Sequence, residues 1–303
     1  TIDSYTTYNV DAGNLVDHKR ILNEYNDIIA QRRGNASRTT VTRYNSQTEI
    51  LDNQIDRTVT VTDLFDNRGF AVDQTVDTFV VDTDGVEKLA SRRVMHNEDI
   101  NNRGDAETQE VTVYQTDDTG LESSLEVTSF QVMTNRNYDS QHNIENQMIL
   151  TYEQEGGLLL DVQEIRSIGY HSSGVALKQV IATYSDEAKT ELLDAKVIEN
   201  SDITSSGNVG TSVITKYGDC AMVEDGAITV VPDSAIDRQT ITTLPDDFDL
   251  RGTALKQTTI REYFDEDAQT FLFSEAQEIT NDPFNFHGRT DHSMIRNFDS
   301  AGM

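Results

Sequence analysis

The chain has 303 residues, with 53 acidic side chains against 24 lysines and arginines, a net charge of −29 and a single cysteine. That charge repels nucleic acid and anionic membrane surfaces and disfavours phosphate binding. One cysteine forms no internal disulfide, and no apolar run approaches the roughly 18 residues that cross a bilayer as a helix.

Taken in chain order, the predicted elements are extended runs between turns. Segment 15–29 carries many helix formers but stands where the chain's periodicity, described below, predicts a strand, and strand is the assignment. Phe65-Asp66-Asn67-Arg68-Gly69 is a turn signal, because an Asp side chain bonds the amides that follow it and Gly supplies a positive φ cheaply. Segment 71–81, rich in Val, Thr and Phe, reads as a strand. Asp82-Thr83-Asp84-Gly85 gives a second turn and 89–95 a second strand. Further turns are expected at Asp117-Asp118-Thr119-Gly120, Glu155-Gly156-Gly157 and Glu224-Asp225-Gly226, with 186–198 again strand rather than helix. The widest interval, between Tyr217 and Tyr263, holds Pro232 and Pro245 and reads as an elongated loop.

These elements recur. An aromatic follows a glycine by ten residues at Gly34/Tyr44, Gly69/Phe79, Gly104/Tyr114, Gly174/Tyr184, Gly207/Tyr217 and Gly288/Phe298. Gly252 reaches Tyr263 with one extra residue, and Tyr152 has His142 in the glycine slot. An aliphatic stands three places before each aromatic: Val41, Val76, Val111, Ile149, Ile181, Ile214, Ile260 and Ile295. The period is about 35 residues, so the chain reads as a tandem array of about eight β-hairpin units spanning 1–303, each burying its apolar face only against its neighbours. Tyr44, Phe79, Tyr114, Tyr152, Tyr184, Tyr217, Tyr263 and Phe298 are the expected packing ladder. Residues three apart point to opposite faces of a flat strand; either both faces are covered, or a bulge near the aromatic brings the two together. Both ends fall inside a repeat, so the chain is expected to be part of a longer polypeptide.

The motif aromatic-Asp-x-x-Gly occurs at Phe65–Gly69, at Phe248-Asp249-Leu250-Arg251-Gly252 and at Phe298-Asp299-Ser300-Ala301-Gly302, with Tyr138-Asp139-Ser140-Gln141-His142 differing only at the last place. Gly34-Asn35 and Gly288-Arg289 continue it. This resembles the rearrangement-hotspot, or tyrosine-aspartate (YD), repeats of large bacterial surface and toxin-associated proteins. The resemblance implies a continuous spiral of β-hairpins, often closing into a hollow shell, in proteins exported to the cell exterior.

Chemistry-bearing residues are dispersed. The six histidines form no His-Glu-x-x-His pair, and His287 and His292 fall in a turn and a strand. Cys220 has no histidine close in sequence to activate it. Asp82, Asp84, Asp117, Asp118, Asp265, Glu266 and Asp267 are candidate calcium ligands, since hard cations take clustered oxygens, although Asp-x-Asp-Gly also describes an ordinary hairpin turn. The expected fold is all-β, stacked hairpins in a solenoid-like or spiralling sheet. The expected role is a non-enzymatic structural segment of an extracellular or cell-surface protein, without cofactor unless calcium, whose partners are further repeats or like subunits. An adhesin-type module recognising a glycan or protein, and a shell enclosing a toxin, are the alternatives.

Overall fold

The computed structural model describes residues 2–8 and 15–299; Ser300, Ala301 and Gly302, which end the last predicted turn, lie outside them. About 60% of the chain is strand and 6% helix. The strands are β1 (Ile2–Tyr8), β2 (Leu15–Glu24), β3 (Arg38–Tyr44), β4 (Gln54–Phe65), β5 (Ala71–Val81), β6 (Glu87–Ile100), β7 (Ala106–Gln115), β8 (Glu126–Tyr138), β9 (Ile144–Tyr152) and β10 (Leu159–Tyr170). They continue as β11 (Ala176–Tyr184), β12 (Leu192–Ile203), β13 (Val209–Tyr217), β14 (Cys220–Met222), β15 (Ile228–Val230), β16 (Ala235–Thr242), β17 (Lys256–Asp265), β18 (Thr270–Asn281) and β19 (Ser293–Phe298). Among the described residues the strands pair antiparallel with their neighbours within each unit described below, and β14 and β15 form a separate two-stranded hairpin.

The predicted strand at 71–81 coincides with β5; of 186–198, residues 192–198 are strand in β12, whereas 186–191 form a turn capped by Asp186, so the expected strand there is corrected, and none of the segment is helix. Within 15–29 the strand ends at Glu24, and α1 (Ile28–Arg33) follows. Asp27 Oδ1 accepts the amides of Ile29 and Ala30 at 2.7 and 2.8 Å, and Gly34 closes the helix at φ 79°. A capping carboxylate and a left-handed glycine suffice for one short helix.

Contacts group the chain into two compact units. The first comprises Thr1–Thr134, Thr151–Leu158 and Asn285–Arg289; the second comprises Asn135–Leu150, Leu159–Phe284 and Thr290–Met303. In the first, β1 to β8 pair each with the next. In the second, β10 to β13 do the same, and β13 then pairs with β16, and β16 to β19 in series.

One turn joins many of these hairpins. In each, the residue three before the glycine slot bonds its neighbours in the same way. Asp66 N donates to Phe70 O and Gly69 N to Asp66 O; Asn101, Asp139, His171, Thr204, Asp249 and Asn285 repeat both bonds. The Asp66 carboxylate adds bonds from the amides of Arg68, Gly69 and Phe70. Asp249 and Asp139 act alike, as does the Asn101 amide oxygen. The motif's aspartate is thus a turn cap, and where aspartate is missing another short acceptor replaces it. His142, in a glycine slot, takes φ 68°.

Successive turns also touch. A Cβ on Gly104 would lie 2.7 Å from Phe70 Cε1, and one on Gly69 would lie 2.7 Å from Asn35 Nδ2. The residue after one glycine therefore rests on the next glycine. Arg68 Nη2 donates to Ile100 O at 2.7 Å, and Arg251 Nη2 makes the equivalent bond to Phe284 O at 2.9 Å.

A register shift recurs as well, between the aromatic and the residue before it, at Thr7/Tyr8, Arg43/Tyr44, Thr78/Phe79, Val113/Tyr114, Thr183/Tyr184 and Lys216/Tyr217. The unpaired residue belongs to the return strand: Ile55 opposite Tyr44, Ala90 opposite Phe79, Leu193 opposite Tyr184. From aliphatic to aromatic, the strands of Tyr44, Phe79, Tyr184 and Tyr217 run in regular register against their other neighbour, so the two side chains stay on opposite faces. Both faces are partly covered. Along β5 every position is half-buried except Val80, which is buried.

Candidate functional site

The expected ladder divides by burial. Tyr44 and Tyr184 are buried, Phe79, Tyr114, Tyr152, Tyr217 and Phe298 half-buried, and Tyr263 is 48% exposed. Tyr263 is the aromatic with the extra residue, and the shift in its unit falls one place early, between Arg261 and Glu262. The expectation that this ring is buried is therefore corrected. Each ring's neighbour is the intervening strand: Phe79 pairs with Arg57 and Leu89, and the Arg57 guanidinium lies 4.0 Å from its ring centre.

Of the candidate calcium carboxylates, those of Asp82, Asp84, Asp117 and Asp265 serve turns. Asp82 Oδ2 and Asp84 Oδ2 lie 2.5 and 3.1 Å from Lys88 Nζ. Asp82 Oδ1 accepts the amides of Thr83 and Phe286, and Asp84 Oδ1 that of Val86. Asp117 Oδ1 accepts from Thr119, and Asp265 Oδ1 from the amides of Asp267 and Ala268. Asp118 is exposed. Among the described residues no three His, Cys, Asp or Glu side chains converge as a metal site. His287 Nε2 lies 3.2 Å from Asp117 O, whereas His292 Nδ1 lies 3.4 Å from Asp282 Oδ2. The thiol of Cys220 is pushed up by burial, and the hydroxyl of Tyr184, which donates to Met222 Sδ at 3.9 Å, is pushed up to about 12, chiefly by burial.

In the first unit, Phe286 is buried against Val80 and Ala90, with Lys88 Nζ 5.1 Å from its ring centre. Beside it an open cleft of about 510 Å³ is lined by Thr116, Ser124, Thr128 and Arg289. Three of its hydroxyls are bonded inward, Thr116 to Leu89 O, Ser124 to Leu121 O and Thr128 to Val113 O.

The second unit holds a group that the sequence reading passed over. Glu164, on β10, is fully buried. Its Oε2 accepts from Arg136 Nη1 at 2.8 Å and Arg166 Nη1 at 3.0 Å, and its Oε1 from Arg136 Nη2 at 3.1 Å and Lys189 Nζ at 2.9 Å. Burial pushes this carboxyl up, but the hydrogen bonds from Arg136, Lys189 and Arg166 outweigh it and hold the group below its ordinary range. Lys189 has φ 56°, in a loop capped by Asp186, which accepts the amides of Thr190 and Glu191. Such strain persists where the surroundings over-determine it.

The cations also reach the β14–β15 hairpin, which lies where an elongated loop was expected. Arg166 Nε donates to Gly226 O at 2.6 Å, and its Nη2 to Val223 O and Glu224 O at 3.1 and 2.9 Å. Arg136 and Asn146 also donate to Glu224 O. Ile228 completes an apolar cluster with Val162, Val180, Ala182 and Tyr184. Part of this was readable: Val162, Glu164 and Arg166 alternate along β10 and share one face. The partners on β8, the 186–190 loop and the hairpin carry no local signal.

No protein-family model matches the chain, and no curated protein matches it. Among solved structures, TcdB2-TccC3 without its hypervariable C-terminal region is similar over 97% of this chain at 13% identity, with a TM-score of 0.15. TcdB2-TccC3-TEV is similar over the same share at 13% identity, with a TM-score of 0.14. The chain spans 19% of the length of each.

Proposed function

We propose that the chain is a non-enzymatic structural segment of a large extracellular or cell-surface repeat protein, contributing length as fibre, stalk or shell wall. The observation that carries this reading is the repetition of one turn and one register shift from hairpin to hairpin. A hairpin alone is marginal in water, and each one here gains its stability from the next, so the unit extends rather than encloses a reaction centre. The net charge of −29 keeps such a surface soluble and separates it from anionic partners. Its partners are further repeats or like subunits.

The test is size-exclusion chromatography with light scattering across a concentration series, with electron microscopy of the fractions. Concentration-dependent association into elongated particles is expected. A compact monomer at every concentration, coupled with specific capture of a saccharide on a glycan array, refutes the structural reading in favour of a binding module.

A further inference from the structure

We propose that segment 219–231, carrying β14 and β15, is a hinged flap latched over the β10–β11 face by the ionic cluster around Glu164, and that it opens as a unit while the main sheet stays folded. The flap interrupts the repeat: β13 pairs directly with β16, and the flap's own two strands pair only with each other in the sheet hydrogen bonding. Each has three residues, too few for a hairpin to persist unaided. Its stem is closed by Gly218 N to Ser234 O and Val231 N to Asp219 O, beside Pro232.

What fixes it is concentrated at two places. At the tip, the carbonyls of Val223, Glu224 and Gly226 accept from Arg166, and that of Glu224 from Arg136 and Asn146 as well. At its base, Ile228 is buried, with Cys220, Met222 and Val230 half-buried against the same cluster. Among the described residues, the buried carboxylate that holds Arg136, Arg166 and Lys189 is Glu164; Glu224, 3.6 Å from Arg136 and 3.9 Å from Lys189, is 66% exposed. Neutralising Glu164 leaves these cations without that buried counter-charge and frees them from the geometry that grips the flap. Segments held by few contacts open locally at lower free energy than the whole unit.

The test is native-state hydrogen exchange read by mass spectrometry on the full chain. In the unsubstituted protein, amides of 219–231 are expected to exchange with a much weaker urea dependence than those of β10–β12, because a local opening exposes less surface than unfolding. Glu164→Gln is expected to accelerate 219–231 at least about 10-fold more than β10–β12, which share only the general loss of stability when one partner of a buried pair is removed. Iodoacetamide labelling of Cys220, the sole cysteine, is expected to accelerate in parallel. Equal acceleration of flap and sheet, or no change at the flap, overturns the proposal. If Glu164→Gln does not fold, the urea series decides: one common slope for flap and sheet overturns it, and separate slopes support it.

Discussion

Replacing Gly104 by alanine tests the contact between successive turns. Gly104 has φ 92°, and a Cβ there would fall 2.7 and 2.8 Å from Cε1 and Cδ1 of Phe70. The left-handed backbone costs an L-residue about 1–2 kcal/mol. The clash adds about 1–3 kcal/mol, because Phe70 is not free to swing: Arg68 stands 5.1 Å from its ring centre and is bonded to Ile100 O and Asn101 O. The total expected is about 2–5 kcal/mol. Gly174 is the control, since it closes the same turn at φ 86° with nothing within 4 Å of its Cβ position. Gly174→Ala carries the backbone cost alone, about 1–2 kcal/mol. Urea denaturation followed by circular dichroism measures both. Phe70→Ala in the Gly104→Ala background isolates the contact as a double-mutant cycle. Equal losses at Gly104 and Gly174, or additive changes at Gly104 and Phe70, refute the account of turn stacking.

Two further outcomes follow from burial and charge. Tyr44→Ala is expected to cost about 3–5 kcal/mol as a buried aromatic, whereas Tyr263→Ala, at a ring 48% exposed, is expected to cost about 1 kcal/mol or less; thermal unfolding of the two variants separates them. His96 Nδ1 lies 2.5 Å from Asp73 Oδ1 and its Nε2 3.4 Å from Glu98 Oε1. The bond to Asp73 is the chief cause of a pKa raised above the ordinary histidine value, burial opposing it. A raised folded value stabilises fully below the unfolded pKa of about 6.5 and loses that contribution as pH rises through the folded one. An NMR titration of the His96 ring is expected to show a midpoint above about 6.5 that falls in Asp73→Asn; an unchanged midpoint in that variant contradicts the assignment.

What the sequence determined by itself was local. The spacing of Gly69 from Asp66, and of Phe79 from Gly69, records a turn whose hydrogen bonds close within five residues, and β5 emerges where Val, Thr and Phe alternate. The carboxylates of Asp82, Asp84 and Asp265 carried the same turn signal and serve in turns. The tertiary structure decided everything that depends on a neighbouring strand. The register shift beside Tyr44, Phe79, Tyr114, Tyr184 and Tyr217 is a property of the strand pair, because the unpaired residue lies on the return strand, and Tyr263 is exposed where that shift moves by one place. The cluster around Glu164 joins β8, β10, the 186–190 loop and the β14–β15 hairpin across separations of up to 88 residues. A buried carboxylate is tolerated only where cations converge on it, and that convergence is a fact of folded space, not of spacing along the chain.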